Sequence, residues 1–317
     1  MAVQQGDSGP AQVAILMASF NGAAFLPEQL ASIAAQDHDD WQLVVSDDGS
    51  GDETCTIIAD FAARMPQSIE LVKGPGMGSS PNFIHLMQMD LGTPFVALCD
   101  QDDRWHPDRL ARGVAALRDL PPESPAIYCS ATVVTDRDLN PQRLSRPVAR
   151  PLGFLNALVQ NVVAGNTVLM NRAAADLARK AAPAPAAVAG LAVHDWWLYQ
   201  LISGAGGTVL YDPEPTLDYR QHGGNFIGAN HGFAATVSRV FGLIEGRFRT
   251  WNDANIAALD GARAYLLPPH RARLDAFADL RQRGLFARLA GFWHLGAYRQ
   301  TRMGQAAMWL ACLLRRI

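Results

Sequence analysis

The residue types best suited to chemistry in this chain sit in two acidic clusters, Ser46-Asp47-Asp48-Gly49-Ser50 and Asp100-Gln101-Asp102-Asp103. Each follows a short apolar run, Trp41 to Val45 for the first and Phe95 to Cys99 for the second. Continuous runs of this kind, rich in Val, Leu and Phe, read as buried parallel strands. In an open α/β sheet the ligand crevice lies at the carboxyl ends of the strands, so the two clusters are predicted to share one crevice. Five carboxylates gathered there repel one another unless a cation or hydrogen-bond donors offset their charge. A divalent metal holding a diphosphate meets that need, and Asp100-x-Asp102-Asp103 offers the hard oxygen ligands that magnesium or manganese prefers. The bland alternative for the same motif is a solvated acidic loop.

Other segments gather around this pair. Ser19-Phe20-Asn21-Gly22 follows the apolar run Val13–Met17 and reads either as a plain turn or as a neighbour of Asp47 and Asp48. A carboxylate at a strand end can accept the N3–H of uracil or thymine. Cytosine has no hydrogen there, so the site would take UDP or dTDP over CMP. One member of the Asp47/Asp48 pair is expected merely to cap the following turn. Gly74-Pro75-Gly76-Met77-Gly78 has the spacing GxGxG, not GxGxxG, and follows the third strand rather than the first. It is therefore no dinucleotide fingerprint, and without Gly-Lys-Ser/Thr it is no P-loop either. It reads as a flexible loop able to close over a ligand. Asp195 opens a helical stretch, where it serves either as a base kept ionised by the helix dipole or as an ordinary N-cap. Beside it, Trp196 and Trp197 could stack on a sugar, with at least one of them in the core. His222 lies in the donor-rich segment Tyr219-Arg220-Gln221-His222.

The elements that must position these residues alternate in type. Strands are predicted at Val13–Met17, Leu43–Ser46, Ile69–Lys73, Phe95–Cys99 and Ile127–Val134. Helices are predicted over Ala24–Gln36, from a Ser50/Glu53 capping box to about Met65, from Pro81 and from Pro107. Repeated βα units of this kind make an α/β fold with a doubly wound, mostly parallel sheet. Beyond Val134, Asp136–Pro151 reads as a mobile loop, Asn166–Met170 as a strand, Ala181–Gly190 as an Ala/Pro linker and His194–Ser203 as a helix. Two short extended pieces follow at Thr208–Tyr211 and Leu217–Gln221. From His231 the pattern is helical, which divides the chain into a catalytic domain, 1–230, and a helical C-terminal region, 231–317.

Composition narrows the class. The chain has 317 residues, 49% hydrophobic and 18% charged, as in an ordinary globular protein with a sizeable core. Its net charge of -3 gives no sign of a nucleic-acid partner. The charge is polarised, however: Arg271–Ile317 carries nine Arg against two Asp, so +7, which leaves -10 on the remainder. Cys55, Cys99, Cys129 and Cys312 lie far apart, without a CxxC pair, which fits a reducing cytosol and no structural zinc. No apolar run approaches the roughly 18 residues that span a bilayer. The expected location is cytoplasmic, with any membrane contact peripheral. Arg281–Ile317 mixes Leu285, Phe286, Leu289, Phe292, Trp293, Met308, Trp309 and Leu310 with arginines. That profile suits an interfacial amphipathic helix on anionic lipid, or else a helix packed on the body or a homodimer contact.

Ser46-Asp47-Asp48-Gly49-Ser50 and Asp100-Gln101-Asp102-Asp103-Arg104-Trp105 resemble the nucleotide and DxD motifs of family 2 glycosyltransferases, which have the A-type fold. His194-Asp195-Trp196-Trp197 and Tyr219-Arg220-Gln221-His222-Gly223-Gly224-Asn225 extend the likeness, and the combination is most similar to bacterial rhamnosyltransferases, over residues 12–230. The resemblance implies that Asp47 or Asp48 binds the pyrimidine with Ser19 and Asn21 nearby. It implies Asp100 at the ribose, Asp102 at the metal and diphosphate, and Asp103 as either a partner of the other carboxylates or a sugar contact. Asn82 would lie near the donor, although Pro81 departs from the residue expected before it. Asp195 matches the catalytic base, and His222 a histidine that completes the metal site. The implied activity is metal-dependent (Mg2+ or Mn2+), inverting transfer of a sugar, favoured as L-rhamnose from dTDP-L-rhamnose, to a saccharide or lipid-linked saccharide. UDP-hexose transfer is the near alternative. A nucleotidyltransferase is more distant, because Ser19-Phe20-Asn21-Gly22 lacks a Gly- and Lys/Arg-rich loop. A non-catalytic nucleotide-sugar-binding or membrane-scaffold protein is the alternative of another class.

Overall fold

A computed structural model describes residues 12–188, 191, 193–222 and 247–317. Strands β1 (Val13–Ser19), β2 (Trp41–Asp47), β3 (Ile69–Lys73) and β4 (Phe95–Asp100) pair in parallel in the order β3-β2-β1-β4. Helices α1 (Leu26–Ala34), α2 (Thr54–Ala62) and α3 (Ser79–Met87) connect them. The strands are apolar without interruption because both faces of the sheet are covered. Val13, Ile15 and Met17 enter one core with Leu26, Leu30 and Ile33 of α1. Ala14 and Leu16, pointing the other way, enter a second core with Phe83, Ile84 and Met87 of α3.

The rest of the sheet folds back on β4. After β5 (Arg104–Trp105) come α4 (Arg109–Arg118), β6 (Ala126–Thr135), β7 (Pro141–Leu144), α5 (Phe154–Ala157) and β8 (Leu169–Asn171). Then follow α6 (Arg172–Ala181), α7 (Pro183–Ala186), α8 (His194–Gly204) and β9 (Thr208–Arg220). β8 runs antiparallel between β4 and β6, β9 returns parallel to β6, and β5 lies antiparallel on β9. The result is a nine-stranded α/β sheet whose long pairings are parallel and whose short ones are antiparallel.

Several local expectations change. The stretch 136–151, expected as a mobile loop, contributes β7 to the edge of β6. The two extended pieces after α8 are one strand, β9, whose register shifts opposite Ser130–Val133 absorb Pro213 and Pro215. Within the Ala/Pro linker lies the single-turn helix α7, opened by Pro183. The Ser50/Glu53 capping box does not form. α2 starts at Thr54 without a side-chain cap, because the Ser50 hydroxyl donates to Asp47 Oδ1 at 2.5 Å instead.

The C-terminal segment is helical where it is described: α9 (Arg247–Gly261), α10 (Pro268–Leu280), α11 (Leu285–Leu295) and α12 (Arg302–Leu313). The expected helical start at 231–246 lies outside the described residues. Leu274, Phe277, Phe292, Met308 and Cys312 from these helices join the core that contains α3 and α8. Two buried arginines fasten the chain end. Arg281 Nε donates to the Ile317 carbonyl at 2.9 Å, and Arg288 Nε to that of Cys312 at 2.6 Å. All four cysteines are free thiols. No helix among the described residues is long and apolar enough to cross a membrane.

Candidate active site

The carboxyl ends of β1, β2 and β4 bring both acidic clusters to one edge of the sheet, as their positions in the sequence predict. Asp100, Asp102 and Asp103 offer oxygens that all lie within 4.8 Å of one another. Burial, then the Asp102 and Asp195 charges, push Asp100 up to about 8. Asp103 is fully buried and is pushed well above the ordinary carboxylate range by burial, then by the charges of Asp102 and Asp100. Its Oδ2 accepts from Asn166 Nδ2 at 2.6 Å and its Oδ1 from the Arg220 amide at 3.2 Å. Asp102 keeps partial exposure, and its Oδ2 lies 2.7 Å from His222 Nε2. The His222 ring stacks on Phe25, with centroids 4.6 Å apart. The donor set is thus hard oxygens with one imidazole nitrogen, and the mutual repulsion is of the kind a divalent cation relieves. These residues fit magnesium or manganese.

The first cluster is tied to the glycine loop. Asp48 Oδ1 accepts from the Gly76 amide at 2.7 Å and Oδ2 from that of Gly78 at 2.6 Å. Both glycines have left-handed φ, +70° and +95°, which lets their N–H groups turn toward the carboxylate. Asp47 holds its own turn, with Oδ2 accepting from the amides of Gly49 and Ser50 at 3.2 and 2.9 Å. Asp47 thus caps the following turn, as expected of one member of the pair, while Asp48 holds the glycine loop after β3. Asn21, at φ +46°, accepts from the Gly51 amide at 2.8 Å, and its own amide donates to Ser50 Oγ at 2.8 Å. Asn82 is buried, and its side-chain amide is matched to Ser46: Ser46 Oγ donates to Oδ1 at 2.5 Å and Nδ2 donates to the Ser46 carbonyl at 2.8 Å. It supports the floor of the loop below Gly74, where an added Cβ would lie 2.9 Å from Asn82 Oδ1.

Asp195 sits in the first turn of α8, whose N-cap is Val193, so the N-cap reading does not hold. Its Oδ2 accepts from the Gly165 amide at 2.9 Å, which ties α8 to the turn before β8. Burial lifts its pKa to about 6 despite the opposing pull of the Gly165 and Trp196 amides and the Asn161 side chain, and despite the helix N-terminus. Trp196 and Trp197 are both buried, and Trp196 Nε1 donates to the Ala157 carbonyl at 2.7 Å. Neither presents a face to a sugar.

Four further residues shape this site without having been singled out by sequence reasoning. Gln101, between the acids, receives Ser19 Oγ at 2.9 Å and the Phe20 amide at 3.0 Å, and so locks the end of β1 to the second cluster. Arg109 is buried beneath that cluster. Its Nη2 donates to the carbonyls of Leu98 and Asn166 at 3.0 and 2.6 Å, its guanidinium lies 4.0 Å over the Trp105 ring, and burial lowers it to about 10. Arg220 Nε donates to the Asp102 carbonyl at 2.8 Å, and the guanidinium also pairs with Glu28. His194 stacks on Phe83 at 4.0 Å with neither ring nitrogen hydrogen-bonded among the described residues, and burial drops it to about 3. The signal for Gln101 was its place inside the acidic motif. His194 and Arg220 were likewise marked only by their places inside sequence motifs, and Arg109 had no signal, because its role rests on contacts distant in sequence.

A sheet of this topology, with an acidic cluster at the end of β4 and a lone carboxylate on α8, has the architecture of A-type glycosyltransferases. The solved structures agree on the fold. The mannosyltransferase PcManGT from Pyrobaculum calidifontis, in complex with GDP-Man and Mn2+, superposes with a TM-score of 0.50 at 19% identity, covering 96% of this chain and 85% of that one. TarS 1-349 of S. aureus superposes with a TM-score of 0.54 at 14% identity, covering 96% and 88%. Residues 14–176 match Glycosyl transferase family 2, and this chain belongs to that family. Among its relatives is the dTDP-rhamnosyl transferase RfbG of Shigella flexneri, 27% identical over 237 residues, which are 73% of this chain and 80% of that protein. The uncharacterised protein Rv1520 of Mycobacterium tuberculosis is 26% identical over 253 residues, 74% of this chain and 69% of that one.

Proposed function

We propose that this family 2 glycosyltransferase transfers L-rhamnose with inversion from dTDP-L-rhamnose to a saccharide, free or lipid-linked, in the synthesis of a bacterial surface polysaccharide. The observation that carries the reading is the position of Asp195: a lone carboxylate with a pKa of about 6, whose charge reaches Asp100 of the acidic group. The relative RfbG supports the donor. Asp195 takes the proton from the acceptor hydroxyl as its oxygen attacks the anomeric carbon and the nucleoside diphosphate departs. Asp102 and His222 would hold a divalent cation, which when bound would supply Lewis-acid stabilisation to the departing diphosphate, so no acidic side chain is needed there. Asp100 faces the ribose, and Asp103, whose oxygens are taken by Asn166 and Arg220, positions the other two acids. A carboxylate has about four lone-pair sites, so Asp48 can accept the pyrimidine N3–H while still holding Gly76 and Gly78, with Ser19, Asn21 and Asp47 framing the base.

The test is thermal stabilisation by dTDP-rhamnose, UDP-glucose, UDP-GlcNAc and GDP-mannose, each with Mn2+ or with EDTA. A shift with dTDP-rhamnose that requires Mn2+ is expected. Stabilisation by UDP-sugars alone would keep the enzyme class and overturn the donor. The absence of a shift with every nucleotide sugar would overturn the reading.

A further inference from the structure

The two last helices leave an unusual surface. Phe286 and Trp293 on α11 are 85% and 73% exposed, and Met303 on α12 is 74% exposed, with Leu310, Leu313 and Leu314 also open to solvent. Phe286 and Trp293 are seven residues apart, as are Met303 and Leu310, so each pair lies along one face of its helix. Trp293 and Trp309 stand 6.2 Å apart between centroids, which brings the two helices together at this surface. A monomer in water has no use for so much clustered apolar area. Beside it, between α10 and α11, runs a cleft of about 380 Å3 bordered by Arg273, Arg283, His294 and Asp279. Residues 285–317 contain five Arg and neither Asp nor Glu; Arg288 is buried, and Arg299, Arg302, Arg315 and Arg316 remain at the surface.

We infer that α11 and α12 seat the protein on an anionic phospholipid bilayer, with Phe286, Trp293, Met303 and Leu310 entering the interface and the surrounding arginines meeting headgroup phosphates. Charge decides the occupant. A two-fold contact would lay this cationic face against its own copy, where like charges repel. A bilayer surface rich in anionic lipid complements it, and helices that expose aromatic and apolar side chains beside arginine are the kind that lie in that interface. The inference stands apart from the choice of donor sugar.

The experiment is co-sedimentation of the full chain with phosphatidylcholine vesicles, with and without phosphatidylglycerol, at low and high salt. Binding only to the anionic vesicles, weakened by salt, is expected, with a blue shift of tryptophan emission. The double variant Phe286→Ser/Trp293→Ser should lose about tenfold or more in partitioning. Because both positions are exposed, its melting temperature and its rate on a soluble saccharide acceptor should match the parent, which separates this outcome from failure of the proposed transfer reaction. Failure to bind anionic vesicles, or equal binding of parent and double variant, would overturn the inference. A dimer in light scattering that the double variant abolishes would assign the surface to a second copy and overturn it as well.

Discussion

At Asp195 two physical effects compete. A helix N-terminus favours the ionised carboxylate, but its reach is short and burial prevails, leaving the group at about 6. A base must be unprotonated, so kcat/KM should rise with pH through about 6 and level off above it, a profile that initial-rate measurements can trace. Asp195→Asn should lower kcat by about 10²- to 10⁴-fold while dTDP still binds. The stability consequence has the opposite sign. The folded chain holds a proton at Asp195 that the unfolded chain, at 3.8, has already released, so this group's contribution falls as pH rises from 3.8 to about 6. Calorimetry above that window should find Asp195→Asn more stable than the parent, and a lower melting temperature would contradict the burial account. Gly165→Ala tests positioning. The added methyl would lie 2.9 Å from His194 Nε2 and 3.3 Å from Asp195 Oδ2. A displacement of the base by a fraction of an ångström should cost roughly tenfold in kcat with the fold kept. The acids themselves were legible in the sequence because each cluster closes a buried strand. Gly165 and Arg109 were not, since nothing nearby in sequence marks a residue whose partners lie dozens of positions away.

Elements repeat the same lesson. The βα units were readable because uninterrupted apolar runs and helix-starting prolines are local signals. β9 appeared as two pieces because Pro213 and Pro215 punctuate it, yet pairing to β6 carries the strand through with a shift of register. The missing capping box failed for a related reason: a nearby carboxylate on another element is a stronger partner for the Ser50 hydroxyl than the end of α2. Between elements, Asp48 sets the conformation of the glycine loop. Gly78→Ala, at φ +95° and ψ 177°, should cost about 1–3 kcal/mol, and should raise KM for the donor more than it lowers kcat, a split that steady-state kinetics will show. Arg109 joins α4 to β4 and to the turn before β8. Arg109→Met would leave the buried carbonyls of Leu98 and Asn166 without their donor, and denaturant unfolding should record a loss of about 1–3 kcal/mol.

For the whole molecule, the polarity read from composition has a structural form: acids gathered at one end of the sheet, arginines on the closing helices. Those helices are not an appendage that can be removed. Phe292, Met308 and Cys312 complete the core that holds Trp197, so a chain ending at residue 284 should bind a hydrophobic dye and lose its cooperative melting transition.

Closure of the site across the chain also bears on biosynthesis. The Asp103 carboxylate rests on the amide of Arg220, and the Arg220 guanidinium reaches back to Glu28. A nascent chain that has emerged only through residue 200 would already display every carboxylate of the acidic motif but none of the strand that braces them. The brace on the acidic group is therefore complete only once β9 has been made.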